Sequence, residues 1–460
     1  MFKLTLAEIA TATGATLIGA TNPNDFITAV ETDSRRSVEG KLFVALKGER
    51  FDAHEFVSQA TASGACAVMV DHDCGVKIPQ LVVKNTEIGL GLLGRLNREK
   101  SKATVVSVTG TCGKTSVKEM TAAILQLCGP TIATAGNLNN AIGVPLTLLN
   151  IGADTQFAVV ELGASHPKDI EYGVELARPV AGLINNVGGA HLLGFGSLDG
   201  VYKTKSEILD FVQAHKGQGI VNADSEFFTR WQQEYPQVKS FSALGKKEAD
   251  VFATSVQPLA DGCFAFVLNT KVGASKVTLG VPGVHNVSNA LAAASLALAA
   301  GAGLDQIVAG LNSVRPVKGR LFVEKYGAAT LIDDAYNASV TAVKASLDTL
   351  STLPGYHVFV FGDMGELGAQ AEDLHREVGA YGQGRAQQFL TVGVLAKLSA
   401  EAFNAGCSPE ALGRSFADKA ALEAYLDELL TAHPDACIAV KGAHFMRMDE
   451  VAQHLRQKLQ

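Results

Sequence analysis

The sequence lacks the features that mark disulfide-rich, zinc-binding and nucleic-acid-binding proteins. Its seven cysteines are odd in number and include no C-x-x-C pair, so neither a disulfide framework nor a zinc cluster is indicated. Charged residues make up only 18% of the chain, and the formal net charge is -7. General attraction to nucleic acid or to acidic membranes is therefore not expected, and any positive charge that binds an anionic ligand must be local.

Long apolar segments and biased tracts are also missing. The N-terminal stretch MFKLTLAEIATATGA is amphipathic and has no signal-peptide pattern, and the alanine-rich run at 291–300 is too short to span a bilayer. No internal repeat and no low-complexity tract is found. We therefore expect a soluble protein of the reducing cytoplasm, without a membrane span.

The composition is that of an ordered α/β protein. Of the 460 residues, 47% are hydrophobic, which is enough for two to four domains with buried cores. Apolar runs of strand length alternate with helix-length segments, the pattern of mostly parallel sheets. Polar segments at 97–102 and 313–320 indicate hinges between three blocks.

The predicted domains are residues 1–84, 85–314 and 315–460. Strands are predicted at 42–46, 67–70 and 81–83 in the first, at 104–108, 157–161, 182–186 and 219–222 in the second, and at 330–333, 357–361, 388–392 and 438–440 in the third. The middle block, with its longer strands and helices, is the predicted central domain.

The stretch SVTGTCGKTSVKEM at 107–120 predicts a phosphate-binding loop. An apolar strand precedes it and apolar residues at helical spacing follow it, so backbone N–H groups at a helix N-terminus can point at phosphate. Lys114 would hold the outer phosphates, and Thr115 would offer a hydroxyl to Mg²⁺.

Val108 stands where the full P-loop pattern has glycine, so the loop has the shorter G-T-x-G-K-T form. The alternative is an ordinary glycine turn with a surface lysine. The chain has no Asn-Lys-x-Asp stretch, which disfavours a GTPase switch.

Three polar residues lie at or beyond the ends of predicted strands, where ligands gather in open parallel sheets. Glu161 ends the strand FAVVE, His191 follows LINNVGGA, and Lys205 lies in the next predicted helix. A carboxylate is the kind of hard oxygen ligand that Mg²⁺ prefers. From the residues alone, Glu161 could equally be a solvated strand-end carboxylate and His191 an ordinary loop residue.

Lys205 is unusual because of the helix face that it occupies. In a helix over 200–212 it shares a face with four apolar residues, whereas Lys203 points away. Those four are Val201, Ile208, Leu209 and Val212. The ammonium could snorkel to solvent, which the pattern alone favours. Alternatively, burial and nearby cations could keep the amine neutral, so that it adds CO₂ and becomes an anionic carbamate that binds a second metal.

A series of segments spanning nearly the whole chain carries a family resemblance. They are TDSRR, LFVALKGERFDAHEF, GTCGKTSVKEM, GNLNNAIGVPLTLL, VVELGASHPKDI, NNVGGAHLLGFGSLDGVYKTKSEI, PGVHNVSNALAA, KGR at 318–320, LIDDAYNAS and FGDMGELG. In this order and spacing, the chain resembles the Mur ligases, the ATP-dependent enzymes that form amide bonds in peptidoglycan assembly.

The resemblance implies a three-domain α/β fold. A central P-loop-type ATPase domain with a parallel sheet is flanked by a small N-terminal α/β domain, which binds the UDP-sugar-peptide, and by a C-terminal Rossmann-like domain that closes on ATP and the incoming amine. Thr115 and Glu161 would hold one Mg²⁺, and His191 and a carbamylated Lys205 would hold a second. The implied catalytic residues are Lys114, Glu161, His191 and Lys205. The implied nucleotide contacts are Gly110, Thr111, Cys112, Gly113, Lys114, Thr115, Ser116, Asn286, Arg320, Asp334, Tyr336 and Asn337. The implied substrate contacts are Ser34, Arg35, Lys47, Asp52, His54, Asn137, Asn139 and Asn140.

Several of these residues also have ordinary structural explanations. Read alone, Asn286 could be a helix N-cap, Asp334 a solvated strand end and Arg320 a hinge charge. The candidates in the first block are polar loop residues, and no chemistry fixes which of their side chains faces a ligand.

The FDAHEF region favours the branch of the family that adds a dipeptide. The implied reaction joins D-alanyl-D-alanine to UDP-N-acetylmuramoyl-tripeptide through an acyl phosphate, with ADP and phosphate as products, and the implied enzyme is a monomer. The rivals within the superfamily are a ligase that adds the third amino acid, whose usual Asp-Asn-Pro-Arg motif is absent here, and a folylpolyglutamate synthase. Outside the superfamily, the alternative is a nucleotide-binding regulator without ligase activity. Such a protein would turn over ATP slowly, at a rate that the substrates do not change.

Two departures from the family pattern stand out. Cys112 occupies a position inside the phosphate loop that is usually small or polar, which leaves the backbone grip intact. In VKGAHFMRM, Ala443 and His444 stand where the family commonly has serine and arginine. We therefore assign that stretch no catalytic role.

Overall fold

The computed structural model describes residues 1–20, 22–48, 51–189 and 192–460. Its first α/β unit contains β1 (Leu4–Thr5), α1 (Leu6–Thr13), β2 (Thr16–Ile18), β3 (Phe26–Ile27), β4 (Val30–Glu31), β5 (Leu42–Val44), α2 (Val57–Ala62), β6 (Ala67–Val70) and β7 (Gln80–Val82). The five-stranded sheet has the order β2-β7-β6-β5-β4, in which β2 runs antiparallel to β7 and the other pairs are parallel. Strands β1 and β3 pair separately.

The second unit is built on a nine-stranded sheet. Its helices and strands are α3 (Thr86–Glu99), β8 (Thr104–Thr109), α4 (Lys114–Gln126), β9 (Thr131–Ala133), α5 (Gly143–Leu149), β10 (Phe157–Glu161), α6 (Asp169–Ala177), β11 (Ala181–Ile184), α7 (Leu192–Phe195), α8 (Leu198–Ala214), β12 (Gln218–Asn222), α9 (Phe228–Glu234), β13 (Lys239–Ser242), β14 (Val251–Pro258), β15 (Phe264–Thr270), β16 (Gly273–Thr278), α10 (His285–Ala299) and α11 (Leu304–Ser313). The strand order is β16-β15-β14-β13-β12-β11-β8-β10-β9, with every pair parallel from β9 to β14 and an antiparallel β14-β15-β16 edge.

The register of the central sheet brings functional segments to one edge. Strand β8 lies between β10 and β11, and Glu161 is paired with Val108 while Ile184 is paired with Thr109. These strands are parallel, so the segments that follow them leave the sheet at the same edge. The loop that leads into α4 thus lies beside Glu161 and beside the residues that follow β11, as expected for a ligand site in an open parallel sheet.

Helices cover both faces of the central sheet. One apolar cluster joins the sheet to α4, α10 and α11, and a second joins it to α5, α6 and α8. Helix α10 is rich in alanine, and Ala290, Ala292, Ala293 and Ala294 are fully buried. Its small side chains allow close approach to the sheet. Helix α11 approaches α4 just as closely, because a Cβ on Gly310 would lie 2.6 Å from the Ile124 Cα.

Helix α3 connects the first unit to the second. The Asn85 side chain caps its N-terminus by accepting the Ile88 N–H at 3.0 Å. Towards its C-terminus the helix packs on α5, and a Cβ on Gly94 would lie 2.9 Å from the Pro145 Cα. Glycine there permits the close contact. The domain boundaries at 84/85 and 314/315 stay predictions.

The third unit is built on a six-stranded sheet. It contains β17 (Phe322–Tyr326), β18 (Ala329–Asp334), α12 (Val340–Thr352), β19 (Tyr356–Gly362), α13 (Ala371–Tyr381), β20 (Gln388–Val392), α14 (Ala396–Asn404), β21 (Leu412–Phe416), α15 (Lys419–Ala432), β22 (Ala436–Lys441) and α16 (Asp449–Leu459). The order is β17-β18-β22-β19-β20-β21, in which β17 is antiparallel to β18 and the other pairs are parallel. Asp363, just after β19, accepts the N–H groups of Val394, Leu395 and Ala396, so it fixes the turn between β20 and α14.

The predicted α/β class with three largely parallel sheets is confirmed, and each predicted strand has a counterpart. One boundary was wrong in an informative way: the strand predicted at 182–186 ends at Ile184. Asn185 and Asn186 leave the sheet, and their side chains bond to the phosphate loop. Sequence analysis missed the short strands β1 to β4, β9, β13, β17 and β21 and the β14-β15-β16 edge, where apolar runs are short or half exposed.

No helix in the described part of the chain is long and apolar enough to cross a bilayer.

We predict that a buried histidine in the third unit makes folding sensitive to acid. His375 is fully buried, its Nδ1–H donates to the Ala371 carbonyl at 2.6 Å, and its Nε2 accepts the Met364 N–H at 3.0 Å. Burial lowers the pKa of His375 below its ordinary value of 6.5. Between the two values the unfolded chain binds more protons, so the free energy of unfolding should fall as the pH drops below about 6.5.

Urea unfolding of the wild type and of His375→Gln between pH 7.5 and about pH 4.5 tests this prediction. Glutamine can offer an acceptor to the Met364 N–H but does not titrate, so the variant should lose less stability on acidification. An equal dependence on pH in both proteins would contradict the assignment.

Candidate active site

A cleft of about 1230 Å³ lies at the carboxyl edge of the central sheet and extends to the third unit. Many of the residues singled out from sequence meet there. They are Gly110, Thr111, Cys112, Gly113, Lys114, Thr115, Ser116, Asn137, Asn139, Asn140, Glu161, Lys205, Asn286, Arg320, Asp334, Tyr336 and Asn337. Convergence of segments so far apart in sequence makes this cleft the candidate active site. Their individual roles stay predictions.

The phosphate loop is fixed by the two asparagines that follow β11. The Cys112 N–H donates to Asn186 Oδ1 at 2.8 Å, and the amides of both Asn185 and Asn186 donate to the Cys112 carbonyl at 3.0 Å. Gly113 has φ 75°, and a Cβ there would lie 2.5 Å from Asn289 Oδ1. Glycine is therefore required by both conformation and space. Helix α4 starts at the next residue without a side-chain cap, which leaves its first N–H groups for an anion.

Lys114 lies over its own loop. Its amine donates to the Gly110 carbonyl at 2.7 Å and to the Thr111 carbonyl at 3.2 Å. Burial lowers the pKa of Lys114, and the nearby Glu161 opposes that effect. The side chain is thus held at the mouth of the loop, where a terminal phosphate would lie.

Glu161 joins the phosphate loop to the loop that carries the predicted asparagines. Its Oε2 accepts the Thr115 hydroxyl at 2.9 Å, and its Oε1 accepts the Asn139 amide at 2.7 Å. The Gly163 N–H donates to the Asn139 carbonyl at 2.8 Å, which holds the second loop in place. Only 2% of Glu161 is exposed, so the reading as a solvated carboxylate is wrong.

The predicted inward face of α8 is confirmed. Lys205 is 4% exposed and the apolar residues that share its face are buried, whereas the Lys203 side chain is 68% exposed. Snorkelling, which the pattern alone favoured, does not occur. Burial, reinforced by Lys114, lowers the pKa of Lys205 to about 7.

The segment before β17 contributes a cation to the cleft. The Arg320 guanidinium lies 4.2 Å from the centre of the Tyr336 ring, and the Tyr336 N–H donates to the Gly319 carbonyl at 3.1 Å. Asp334 is not a solvated strand end: its Oδ2 pairs with the Lys441 amine at 2.5 Å and its Oδ1 accepts the Leu321 N–H. This buried carboxylate orients the segment that presents Arg320.

Asn286, the proposed adenine contact, is the second residue of α10 and not its N-cap. Its amide donates to the Pro282 carbonyl at 2.7 Å, and its Oδ1 accepts the Asn289 amide at 2.8 Å. Asn289 in turn accepts the Asn185 amide at 2.9 Å. A chain of three asparagines thus connects α10 to the phosphate loop.

The N-terminal candidates form local networks of their own. Arg35 makes two bonds of 2.8 Å to Asp33, Lys47 pairs with Asp52 at 3.2 Å, and His54 bonds to Asp52 Oδ1 at 2.6 Å. Among the described residues that line the cleft, none comes from this group, which also includes Ser34. Their substrate role stays a prediction.

His191, predicted as a metal ligand, lies outside the described residues.

Sequence reasoning missed several residues of the site. Asn185 and Asn186 were assigned to a strand, and Asn289 could have been found as a second asparagine one helical turn after Asn286. Lys441 also lines the cleft, together with Ala443, His444 and Phe445. The C-terminal stretch that was given no role therefore faces the site.

Three family models match the chain in order. They are "Mur ligase family, catalytic domain" at residues 26–103, "Mur ligase middle domain" at 108–297 and "Mur ligase, glutamate ligase domain" at 319–444. The UDP-N-acetylmuramoyl-tripeptide–D-alanyl-D-alanine ligase of Escherichia coli is 43% identical over 460 residues, which cover 99% of each chain. The chain belongs to the Mur ligase family.

Solved Mur ligase structures agree with this assignment. A crystal structure of MurF from Acinetobacter baumannii superimposes with a TM-score of 0.92 at 35% identity, covering 100% of this chain and 99% of that one. MurF from Thermotoga maritima, solved in complex with ADP, gives a TM-score of 0.81 at 26% identity over 94% and 97% of the two chains. The three-unit α/β architecture is therefore shared with Mur ligases of known structure.

We predict that Gly113→Ala weakens nucleotide binding by more than about tenfold. The new Cβ would collide with Asn289, and the positive φ would be strained, so the loop could not keep its shape. Titration with a fluorescent ADP analogue measures the effect.

Gly14→Ala is the matched control, because Gly14 has φ 67° but open space around a Cβ and lies at the end of α1, outside the cleft. It should bind nucleotide as the wild type does. Unchanged affinity in Gly113→Ala would rule out the loop as the phosphate grip.

Proposed function

We propose that the chain is an ATP-dependent ligase that joins D-alanyl-D-alanine to UDP-N-acetylmuramoyl-tripeptide in the synthesis of peptidoglycan precursors. One observation carries the proposal: the phosphate loop, the loop at 135–142 (the asparagine loop) and the segment that presents Arg320 meet in a single cleft. Such an arrangement suits the transfer of a phosphoryl group to a bound carboxylate. The name and identity of the Escherichia coli relative support the choice of substrates.

The chemistry requires activation, because a carboxylate has no usable leaving group at neutral pH. The carboxylate oxygen forms a bond to the γ-phosphorus while the bond between that phosphorus and the β,γ-bridging oxygen breaks, which releases ADP. The amine of D-alanyl-D-alanine then attacks the acyl carbon; the C–N bond forms, phosphate leaves, and the nitrogen loses a proton. This sequence accounts for one ATP per amide bond.

The residues of the phosphate loop do the positioning. The uncapped N-terminus of α4 binds phosphate oxygens, and Lys114 moves from its carbonyl acceptors to the outer phosphates. Arg320 adds charge from the third unit. Such catalysis is mainly placement and electrostatic stabilisation of the transferring group.

The residues around Glu161 fit a magnesium site. The Thr115 hydroxyl and the Glu161 carboxylate are adjacent oxygen donors beside the phosphate loop, which is the donor type that Mg²⁺ prefers. In our proposal they hold one ion, while His191 and a carbamylated Lys205 hold a second. When bound, Mg²⁺ offsets the negative charges of phosphate and carboxylate as these groups approach each other.

Lys205 has the properties that carbamylation needs. With a pKa of about 7, a large fraction of its amine is neutral at physiological pH and can attack CO₂. The N–C bond forms, a proton is lost, and an anionic carbamate results. The nearby Lys114 cation favours an anion at this position.

Closure of the third unit would protect the acyl phosphate from water. We propose that the enzyme acts as a monomer. We place it in the cytoplasm, where ATP and nucleotide-linked sugars are available.

Phosphate release tests the proposed reaction directly. We expect full ATP turnover only when UDP-N-acetylmuramoyl-tripeptide and D-alanyl-D-alanine are both present, because the second substrate must discharge the acyl phosphate. Mass spectrometry should identify the UDP-linked pentapeptide as the product. Full release with either substrate alone, or slow release that ignores both, would count against ligation.

We predict that Lys205→Ala abolishes activity and that short carboxylates restore part of it, because they can replace the carbamate oxygens. Lys203→Ala is the matched control two residues earlier, where the side chain is exposed; it should remain active. Carbon NMR with labelled CO₂ should show a carbamate signal in the wild type that Lys205→Ala lacks. Wild-type activity in Lys205→Ala would remove the carbamate from the mechanism.

A further inference from the structure

Lys118 is a fully buried cation behind the active-site cleft. It lies in α4, one turn after Lys114, and is 1% exposed. Its amine donates to the Thr134 carbonyl at 2.7 Å and pairs with Glu119 Oε1 at 2.8 Å. Burial of an ammonium costs free energy unless the group is well bonded. We therefore ask what the contact with Thr134 does for the site.

Thr134 connects Lys118 to the catalytic carboxylate. It follows the last residue of β9, and its N–H donates to the Val159 carbonyl at 3.0 Å. Its hydroxyl accepts the N–H of Glu161 at 3.0 Å. The end of β9 and the end of β10 are therefore tied together at the residue that Lys118 holds.

The contacts close into a ring. Lys118 bonds to Thr134, Thr134 bonds to the Glu161 backbone, and the Glu161 side chain accepts the hydroxyl of Thr115, which is again in α4. The loop at 135–142 leaves the ring immediately after Thr134. Asn139 returns to the ring through its 2.7 Å bond to Glu161.

We infer that Lys118 is a positioning residue that couples the phosphate-binding helix to the loop at 135–142, and thereby sets the binding of the UDP-sugar-peptide. The inference rests on the proposed function and on the predicted contacts of Asn137, Asn139 and Asn140 with that substrate. Lys118 reaches neither substrate, because it is not among the described residues that line the cleft. Its effect passes through the Thr134 carbonyl.

The phosphate grip has supports that do not involve Lys118. Lys114 rests on the carbonyls of its own loop, and Cys112 is held by the asparagines after β11. Loss of the Lys118 amine should therefore affect the peptide substrate more than ATP. A general loss of folded protein would affect both substrates alike.

Lys118→Met tests the coupling, because methionine fills the space but offers no donor. We expect the KM for UDP-N-acetylmuramoyl-tripeptide to rise about tenfold, as for the loss of one charge-assisted hydrogen bond, while the KM for ATP changes less than about twofold. Calorimetric titration with the UDP-sugar-peptide alone should show the same loss of affinity without turnover.

Two controls separate positioning from stability. Thr121 is fully buried in the same helix, and its hydroxyl bonds only to the Val117 carbonyl among the described residues. Thr121→Val should lower the melting temperature without changing either KM. Glu119→Gln removes the charge beside Lys118 but keeps the bond to Thr134, so it should also leave both KM values unchanged.

Thr134→Val tests the same coupling at the bond between Thr134 and the Glu161 backbone. It removes the hydroxyl that holds the Glu161 N–H and keeps the carbonyl that Lys118 contacts, so we expect the same selective rise in KM. If Lys118→Met does not fold, this variant decides. The coupling is overturned if the KM for the UDP-sugar-peptide is unchanged, if both KM values rise equally, or if Thr121→Val reproduces the shift.

Failure of the proposed function gives a different result. In that case the wild type itself shows no phosphate release that depends on both substrates. Normal wild-type turnover with no selective effect in Lys118→Met and Thr134→Val would refute the coupling alone.

Discussion

The position of the Glu161 carboxylate constrains the whole site. Its two oxygens take one donor from the phosphate-binding helix and one from the asparagine loop, so a single buried side chain sets the distance between two loops. That arrangement depends on the register between β8 and β10, which pairs Glu161 with Val108. A slip of one residue would turn Glu161 to the other face of the sheet and separate the loops.

Positive charge is concentrated where the acidic chain requires it. The formal net charge is -7, yet Lys114 and Arg320 line one cleft and Lys118 lies just behind it. Backbone groups add to this field, because α4 directs its N-terminus at the same space. The composition of the chain required local positive charge. Few side chains supply it, because the N-terminus of α4 contributes part of the positive potential.

The confirmed predictions came from helical periodicity and from the positions of strand ends. The helical spacing around Lys205 predicted the apolar helix face that it occupies, although the pattern alone favoured an ammonium that reaches solvent. The parallel pattern predicted that Glu161 and the phosphate loop would meet. Properties that depend on tertiary contacts were not predictable in this way. Asn185 and Asn186 continue an apolar strand in sequence, and only the geometry of the sheet edge shows that they turn toward Cys112. Lys118 gave no signal at all, since its partner is a backbone carbonyl 16 residues away.

The alanine run in α10 acts as a spacer for the nucleotide site. Because methyl-sized side chains separate this helix from the sheet, the depth at which α10 lies is set by its composition. Asn286 and Asn289 lie near its N-terminal end, and they connect to the phosphate loop through Asn185. A larger residue in the middle of α10 would move the helix away from the sheet and separate the two asparagines from the phosphate loop. The shape of the cleft therefore depends on packing about two helical turns away.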